Sequence, residues 1–311
     1  MRCLKCQNKA IIELQHGPLC ENHFIFYFED KVYKTFKKYQ MLAPQDKICV
    51  AVSGGKDSQT VLHLIKKYFL KNRWPAENIF ALAIDEGISP YRPSTLADLK
   101  KFCKKEKIKL TIVSAQKEFG STLDKALKKL KNAQLRPCHI CGVWRRYLLN
   151  KYARKLKATK IITGHNLDDE AQATLMNLFK ANVNLAAHLG PVSGVQEDTH
   201  FVQRIKPLYF CAEKETKLYS LLQKFPVHFQ ECPYAEEGYR AHIRNFLNDF
   251  EQKYAGTKQG IIKSYLHLLP LLKAKAKEKN SRPQACPRCG EAANAGHCKV
   301  CQINELLKNE N

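Results

Sequence analysis

Apolar residues along this chain follow two alternating rhythms. Short, nearly continuous apolar runs at Ile48–Val52, Ile79–Ile84, Leu110–Val113 and Lys160–Thr163 read as buried strands. After each comes a stretch that reads as a helix: Gln59–Phe69, Pro93–Lys105, Ser121–Lys131 with Val143–Leu156, and Asp168–Phe179. Strands and helices in alternation predict an α/β fold built on a doubly wound parallel sheet. Beyond Lys214 the chain reads as mostly helical to about Leu272, and the basic stretch Lys273–Pro283 reads as a linker. Ligands of such sheets sit outside the carboxyl ends of the strands. The polar segments Ser53–Ser58, Asp85-Glu86-Gly87 and Gly164-His165-Asn166 all fall at those ends, which supports the strand assignment.

Ser53-Gly54-Gly55-Lys56-Asp57-Ser58 joins the first strand to the first helix. Its two glycines let the backbone turn sharply and approach an anion closely. The first free N–H groups of the helix then point at that anion, helped by the helix dipole. Lys56 adds a full charge, and Ser53 and Ser58 add hydroxyl donors. The spacing is not the GxxxxGK[ST] of kinases and GTPases. SGGKDS instead resembles the PP-loop of ATP pyrophosphatases, which implies cleavage of ATP between the α and β phosphates and adenylation of a substrate.

A length of 311 residues leaves room for one sizeable α/β core with small appendages. The chain carries 52 Lys+Arg against 29 Asp+Glu, a net charge of +23. The excess is uneven, because residues 100–160 hold 19 basic and 3 acidic side chains. A thermophile's charged surface brings glutamate along with lysine, and glutamate is scarce here. A polyanionic partner, nucleic acid first, is the better reading. No run approaches the roughly 18 apolar residues of a membrane span, and the start MRCLKC lacks a signal peptide's apolar core. A cytoplasmic protein with no membrane partner is expected.

In that compartment thirteen cysteines favour metal sites over disulfides. Cys3-x2-Cys6 with Cys20-x2-His23, and Cys286-x2-Cys289 with Cys298-x2-Cys301, each offer four ligands in two close pairs, as tetrahedral Zn²⁺ requires. Two Zn²⁺ are expected, one at each end. The implied organisation is a zinc finger over residues 1–26, a PP-loop domain over 27–212, a helical extension over 213–275 and a zinc ribbon over 276–311. Cys49, Cys103 and Cys211 lie singly in apolar or amphipathic segments and read as core residues.

Two further constellations carry chemistry. Asp168-Asp169-Glu170 opens a helix just after Gly164-His165-Asn166-Leu167. These acids either cap the helix and complement its dipole or position Mg²⁺ or substrate beside the phosphate loop. Asp85 reads equally as a turn residue or as a ribose or metal contact. Pro137-Cys138-His139-Ile140-Cys141-Gly142 finds its nearest plausible partner in Cys232 of Glu231-Cys232-Pro233-Tyr234. Three such thiols can carry persulfide sulfur, hold a metal or simply be structural. They are too few to close a structural zinc site, but they can hold a [4Fe–4S] cluster with one iron open.

SGGKDS, Asp85-Glu86-Gly87-Ile88 with Tyr91-Arg92, Pro137-Cys138-x2-Cys141-Gly142, GHNLDDEAQ, Arg204-Ile205-Lys206-Pro207-Leu208 and ECPY occur in that order between the two terminal ligand sets. Together they resemble the tRNA 2-thiouridine synthetase family, most closely its TtuA group, over essentially the whole chain. The resemblance implies a [4Fe–4S] cluster on Cys138, Cys141 and Cys232, ATP with Mg²⁺, and tRNA as substrate. It also implies a ubiquitin-like sulfur-carrier protein with a C-terminal thiocarboxylate, and a homodimer. Ala51, Val52, Ser53, Gly54, Gly55, Lys56, Asp57 and Ser58, with Ile84, Asp85, Gly164, His165 and Asp169, form the expected ATP pocket. Lys56, Asp57, Asp168, Arg145 and the three cysteines are the expected catalytic set. Asp168 matches the catalytic aspartate by position, and Arg145 falls where the family carries an essential basic residue, often lysine. Arginine cannot transfer a proton as lysine does, whereas charge stabilisation survives the exchange.

The expected reaction is a two-step displacement on a tRNA uridine, the T-loop ribothymidine before the anticodon wobble base. The C2 oxygen attacks the α-phosphate of ATP, and sulfur held by the cluster or as a persulfide then displaces AMP. A PP-loop amidoligase or lysidine-type synthetase would use nitrogen and has no need of three thiols. A zinc-ribbon RNA-binding protein with a degenerate nucleotide fold would not keep the loop intact.

Overall fold

A computed structural model describes residues 1–133, 135–195, 200–235, 238–278, 284–293 and 296–309. The chain opens with an antiparallel hairpin, β1 (Ile12–Leu14) and β2 (Gly17–Leu19), and helix α1 (Glu21–Lys38). The central run is β3 (Ile48–Ala51), α2 (Lys56–Lys71), β4 (Ile79–Asp85), α3 (Tyr91–Glu106), β5 (Lys109–Ser114), α4 (Ala115–Phe119) and α5 (Leu123–Lys129). It continues through α6 (Pro137–Lys155), β6 (Lys160–Ile162), α7 (Leu167–Phe179), α8 (Val183–Ala186) and β7 (Gln203–Ile205). Helices α9 (Glu213–Leu222), α10 (Tyr239–Lys253) and α11 (Thr257–Glu278) follow, then the hairpin β8 (Gln284–Ala285) and β9 (Ala292–Ala293), and α12 (Lys299–Asn309).

The five central strands are all parallel, in the order β5-β4-β3-β6-β7. Their two faces separate by strict alternation. Ile48 and Val50 of β3 with Ile79, Ala81 and Ala83 of β4 join the core formed with α1, α2 and α3. Cys49 of β3 with Phe80, Leu82 and Ile84 of β4 join a second core with Leu148 and Ala153 of α6. Helices on both faces confirm the doubly wound sheet. Chain order reverses between β3 and β6, and a crevice opens at the carboxyl ends of two such strands.

Several elements differ from the pattern-based expectation. β7 is a fifth strand; with only three residues and a polar start, it has too little alternation to be read as one. α6 begins at Pro137 rather than near Val143, because proline is preorganised for the first helical position. Cys138 and Cys141 therefore share one face of a helix's first turn. Residues 223–235 interrupt the helical C-terminal region, and α11 continues to Glu278, so Lys273 to Glu278 is helix rather than linker. The rest of that linker, 279–283, lies outside the described residues.

The terminal modules are packed against the body. Cys3, Leu19 and Cys20 join the main core with Phe24 and Phe28 of α1. Cys286, Cys298 and Cys301 join a core with Ile140, Val143 and Trp144 of α6. α10 and α11 lie against α7.

Candidate active site

The phosphate loop leaves β3 and turns into α2 with its own polar groups closing it. Gly54 adopts φ +92°, and a Cβ there would lie 2.5 Å from the Thr95 carbonyl oxygen, so only glycine fits. Gly55 N–H donates to Ser53 Oγ at 3.3 Å, and Ser58 Oγ donates to the Gly55 carbonyl at 2.9 Å. Across the crevice, a Cβ on Gly164 would sit 2.9 Å from the Ser58 backbone nitrogen. The loop after β6 thus presses directly on the phosphate loop. Ala51, Val52, Ile84, Asp85, Gly164 and His165 all lie along the same carboxyl edge of the sheet. Asp85 Oδ1 accepts the Gly87 N–H at 3.0 Å, which is the turn role its sequence allowed.

Acids and cations here interlock. Lys56 Nζ pairs with Glu213 at 2.7 Å and with Asp57 at 3.0 Å. Burial opposes the Lys56 charge, but the two carboxylates outweigh it and hold its pKa above the ordinary lysine value. Burial raises Asp57, while Lys56 and the Asn166 amide counter it. Asn166 touches both site-facing acids: Nδ2 donates to Asp57 at 3.1 Å, and its backbone N–H donates to Asp169 at 3.3 Å. Burial pushes Asp169 up to about 6; Arg240 opposes this and Asp57 adds to it.

Asp168 points elsewhere. Its Oδ1 pairs with buried Lys258 of α11, and its Oδ2 accepts the Glu213 N–H at 2.7 Å. Lys258 is held in turn by Asn248 at 2.6 Å. Both Asp168 oxygens are spent on docking α7 to α9 and α11, while Asp169 keeps a side chain about a third exposed. Glu213 and Lys258 carry no local sequence signal. They lie far along the chain, and only packing of the C-terminal helices brings them here.

The basic side of the crevice gathers around His165. Crowding by protein, then Lys206, Arg240, Arg145 and Arg204, hold its imidazole down at about 3, so it is neutral throughout the physiological range. Arg204 is lowered to about 10 by burial and by Arg146. The motif Arg204-Ile205-Lys206 offered the signal for two of these cations; Arg146 and Arg240 had none.

Cys138 is exposed, and Cys141 and Cys232 are half-buried beside the core under α6. Cys138 Sγ donates to the Tyr234 carbonyl at 3.5 Å, which brings the ECPY loop onto the first turn of α6. Burial pushes Cys141 up to about 12, with Glu86, Cys232 and Cys138 adding to it and Arg145 countering. The three thiols are thus close enough to sense one another's charge. They fit the donor set of a cluster with one iron free of protein ligand. The terminal sets are tighter: the ligand atoms of Cys3, Cys6, Cys20 and His23, and of Cys286, Cys289, Cys298 and Cys301, each lie within 4.8 Å of one another. Four convergent N/S donors fit tetrahedral Zn²⁺.

A parallel sheet with this glycine-rich loop at its switch point defines a PP-loop nucleotide-binding protein, and a PP-loop domain model matches residues 27–250. The chain is 34% identical to the tRNA-5-methyluridine(54) 2-sulfurtransferase of Pyrococcus horikoshii, covering all of this chain and 96% of that one. It is 32% identical to the tRNA 2-thiolation protein NcsA of Haloferax volcanii, covering 99% of each. Its fold matches the U34-tRNA thiolase NcsA of Methanococcus maripaludis, solved with its [4Fe–4S] cluster, with a TM-score of 0.82 and 31% identity over 98% of this chain and 96% of that one. The chain belongs to the PP-loop family of tRNA 2-thiolation sulfurtransferases.

Proposed function

We propose that this protein uses ATP to replace the C2 oxygen of a tRNA uridine with sulfur, the T-loop ribothymidine first among its targets. The observation that carries the reading is the junction of an intact phosphate loop with a three-thiol set, bridged by Arg92, Glu86 and Arg145, the last one turn from Cys141. In the first step the uridine O2 bonds to the α-phosphorus, the α–β anhydride breaks and pyrophosphate leaves. The loop N–H groups and Lys56 stabilise the charge that develops. Asp57 and Asp169, both held by Asn166, are the carboxylates for Mg²⁺, which takes one or two such ligands beside substrate phosphates. Asp168 acts from behind: it seats the α9 N-terminus, whose Glu213 holds Lys56. Sulfur then bonds to C2, the C2–O bond breaks and AMP departs with the oxygen. Cys138, Cys141 and Cys232 would hold a [4Fe–4S] cluster, which would supply Lewis-acid chemistry beside the sulfur.

Two Zn²⁺ fill the terminal sets. The sulfur comes from a ubiquitin-like carrier with a C-terminal thiocarboxylate, and the working unit is a cytoplasmic homodimer. The lysines at 100, 101, 104, 105, 107 and 109 are all exposed, as a phosphate-backbone contact requires. If they grip tRNA, affinity drops roughly a thousandfold between about 50 and 200 mM salt; a flat salt dependence removes that role. The decisive experiment is mass-spectrometric mapping of thiolated nucleosides in tRNA from a deletion strain. Loss of 2-thiolation in the T-loop supports the first target. Loss at the wobble base instead moves the target to the one borne by the solved NcsA. Unchanged tRNA ends the reading.

A further inference from the structure

We infer that Glu86 is a positioning residue of the reaction: it orients Arg145 against the thiol set and locks that arginine to the back of the phosphate loop. The inference rests on the thiolation reading above. Glu86 follows the carboxyl end of β4, with its side chain 8% exposed, and its two oxygens go to different arginines. Oε2 meets Arg92 Nε at 2.9 Å, and Oε1 meets Arg145 Nε at 3.3 Å. Its backbone carbonyl accepts the Leu123 N–H at 2.8 Å, which ties it to α5 as well.

Each arginine reaches a different half of the site. Arg92 is 3% exposed and donates to the Ser53 carbonyl, the Ile84 carbonyl and, at 3.2 Å, Thr95 Oγ1. Ser53 opens the phosphate loop, and the Thr95 carbonyl is the atom that forbids a side chain at Gly54. Arg145 follows Cys141 by one turn of α6, and the Cys141 thiol and the Arg145 charge influence one another. Contacts through Arg92 and Glu86 therefore lead from the phosphate loop to Arg145, one turn from Cys141, and Glu86 is the acid that joins the two arginines.

The physical need for that acid is clear. Arg145 is about half exposed and has Arg146 beside it, whose charge repels it. A long guanidinium side chain in that setting keeps its rotamer freedom unless a fixed carboxylate selects one geometry. Glu86 is that carboxylate, itself held by Arg92. Both its oxygens are engaged by arginines, so it acts through Arg145. A displacement needs both reacting centres held to within fractions of an ångström, so loosening this frame slows turnover more than it weakens nucleotide binding.

A kinetic double-mutant cycle of Glu86→Gln with Arg145→Gln tests this on the full-length protein with its metals loaded. Wild-type thiolation of tRNA is measured first, and its absence is a failure of the functional reading, not of this one. Glu86→Gln is expected to lower thiolation kcat about tenfold or more, with KM for ATP within about threefold of wild type. Introduced into Arg145→Gln, the same change should add less than about threefold, because its target is already gone. Glu86→Asp, with a shorter carboxylate, should recover part of the loss. Should Glu86→Gln fail to fold, Glu86→Asp and Arg145→Lys are run through the same cycle. Additive losses, an unchanged kcat, or a rise confined to KM for ATP would each overturn the inference.

Discussion

The terminal ligand sets and the central thiol set are built on opposite plans. At each end four donors converge within 4.8 Å, three of the four C-terminal cysteines are buried, and the set adjoins a short hairpin and a helix start. In the centre are three thiols, of which Cys138 is exposed and Cys141 and Cys232 half-buried, with a basic crevice beside them. A saturated tetrahedral set has nothing left to offer a substrate, whereas a three-donor set leaves one position open. On the proposed function, the ends are staples and the centre is for chemistry.

That contrast breaks most visibly at the central thiols. Serine at Cys138, Cys141 or Cys232 should reduce thiolation to background while two zinc ions per chain remain; tRNA nucleoside mass spectrometry and metal analysis report both. Loss of zinc along with activity would mean that the centre is a staple too. Next in size, Lys56→Ala should cut tRNA-dependent pyrophosphate release roughly 10²- to 10³-fold without changing iron content. Unaltered release would remove the loop from the activation step.

Cys286→Ser probes the staple side. Zinc supplies about 10–16 kcal/mol to isolated fingers, so one lost ligand should unfold the C-terminal module. Zinc falls from two to one per chain, and α6 loses the packing of Cys286, Cys298 and Cys301. Limited proteolysis should then release the C-terminus, with thiolation reduced several-fold rather than abolished. Full activity would show that the module does not brace α6.

The smallest effect is in pH. With Asp169 held up to about 6 against an ordinary 3.8, pyrophosphate release should rise as pH passes through about 6 and level off above it. Crowding by protein and the cations around His165 hold its imidazole below the ordinary histidine value, away from that limb. Stability runs the other way. The folded state holds the Asp169 proton more tightly than the unfolded chain, so this group's contribution declines as pH rises from about 4 to about 6. Asp169→Asn should therefore abolish the activity limb yet raise Tm at pH 7. A limb that persists in Asp169→Asn assigns it to another group.

Much of this was legible because the decisive features are local. A strand, two glycines, a lysine and a helix start are consecutive residues, and the candidate ligands of each terminal set are separated by two residues within each pair. Cys138 and Cys141 were legible as a pair, although their place on the first turn of α6 needed Pro137 to be read as a helix start. Asp168 and Asp169 show the limit. Adjacent in sequence and equal in chemistry, they point about 100° apart on a helix, one into Lys258 and one toward Asp57.

The sequence by itself determined the alternating sheet, the phosphate loop, the metal-ligand pairs and the family, since each depends on residues a few positions apart. Tertiary structure decided which acid faces the crevice, which cations ring His165, and how Glu86 joins Arg92 to Arg145. Such pairings bring together side chains from separate elements, and the directions of those side chains follow from packing. No local pattern encodes them.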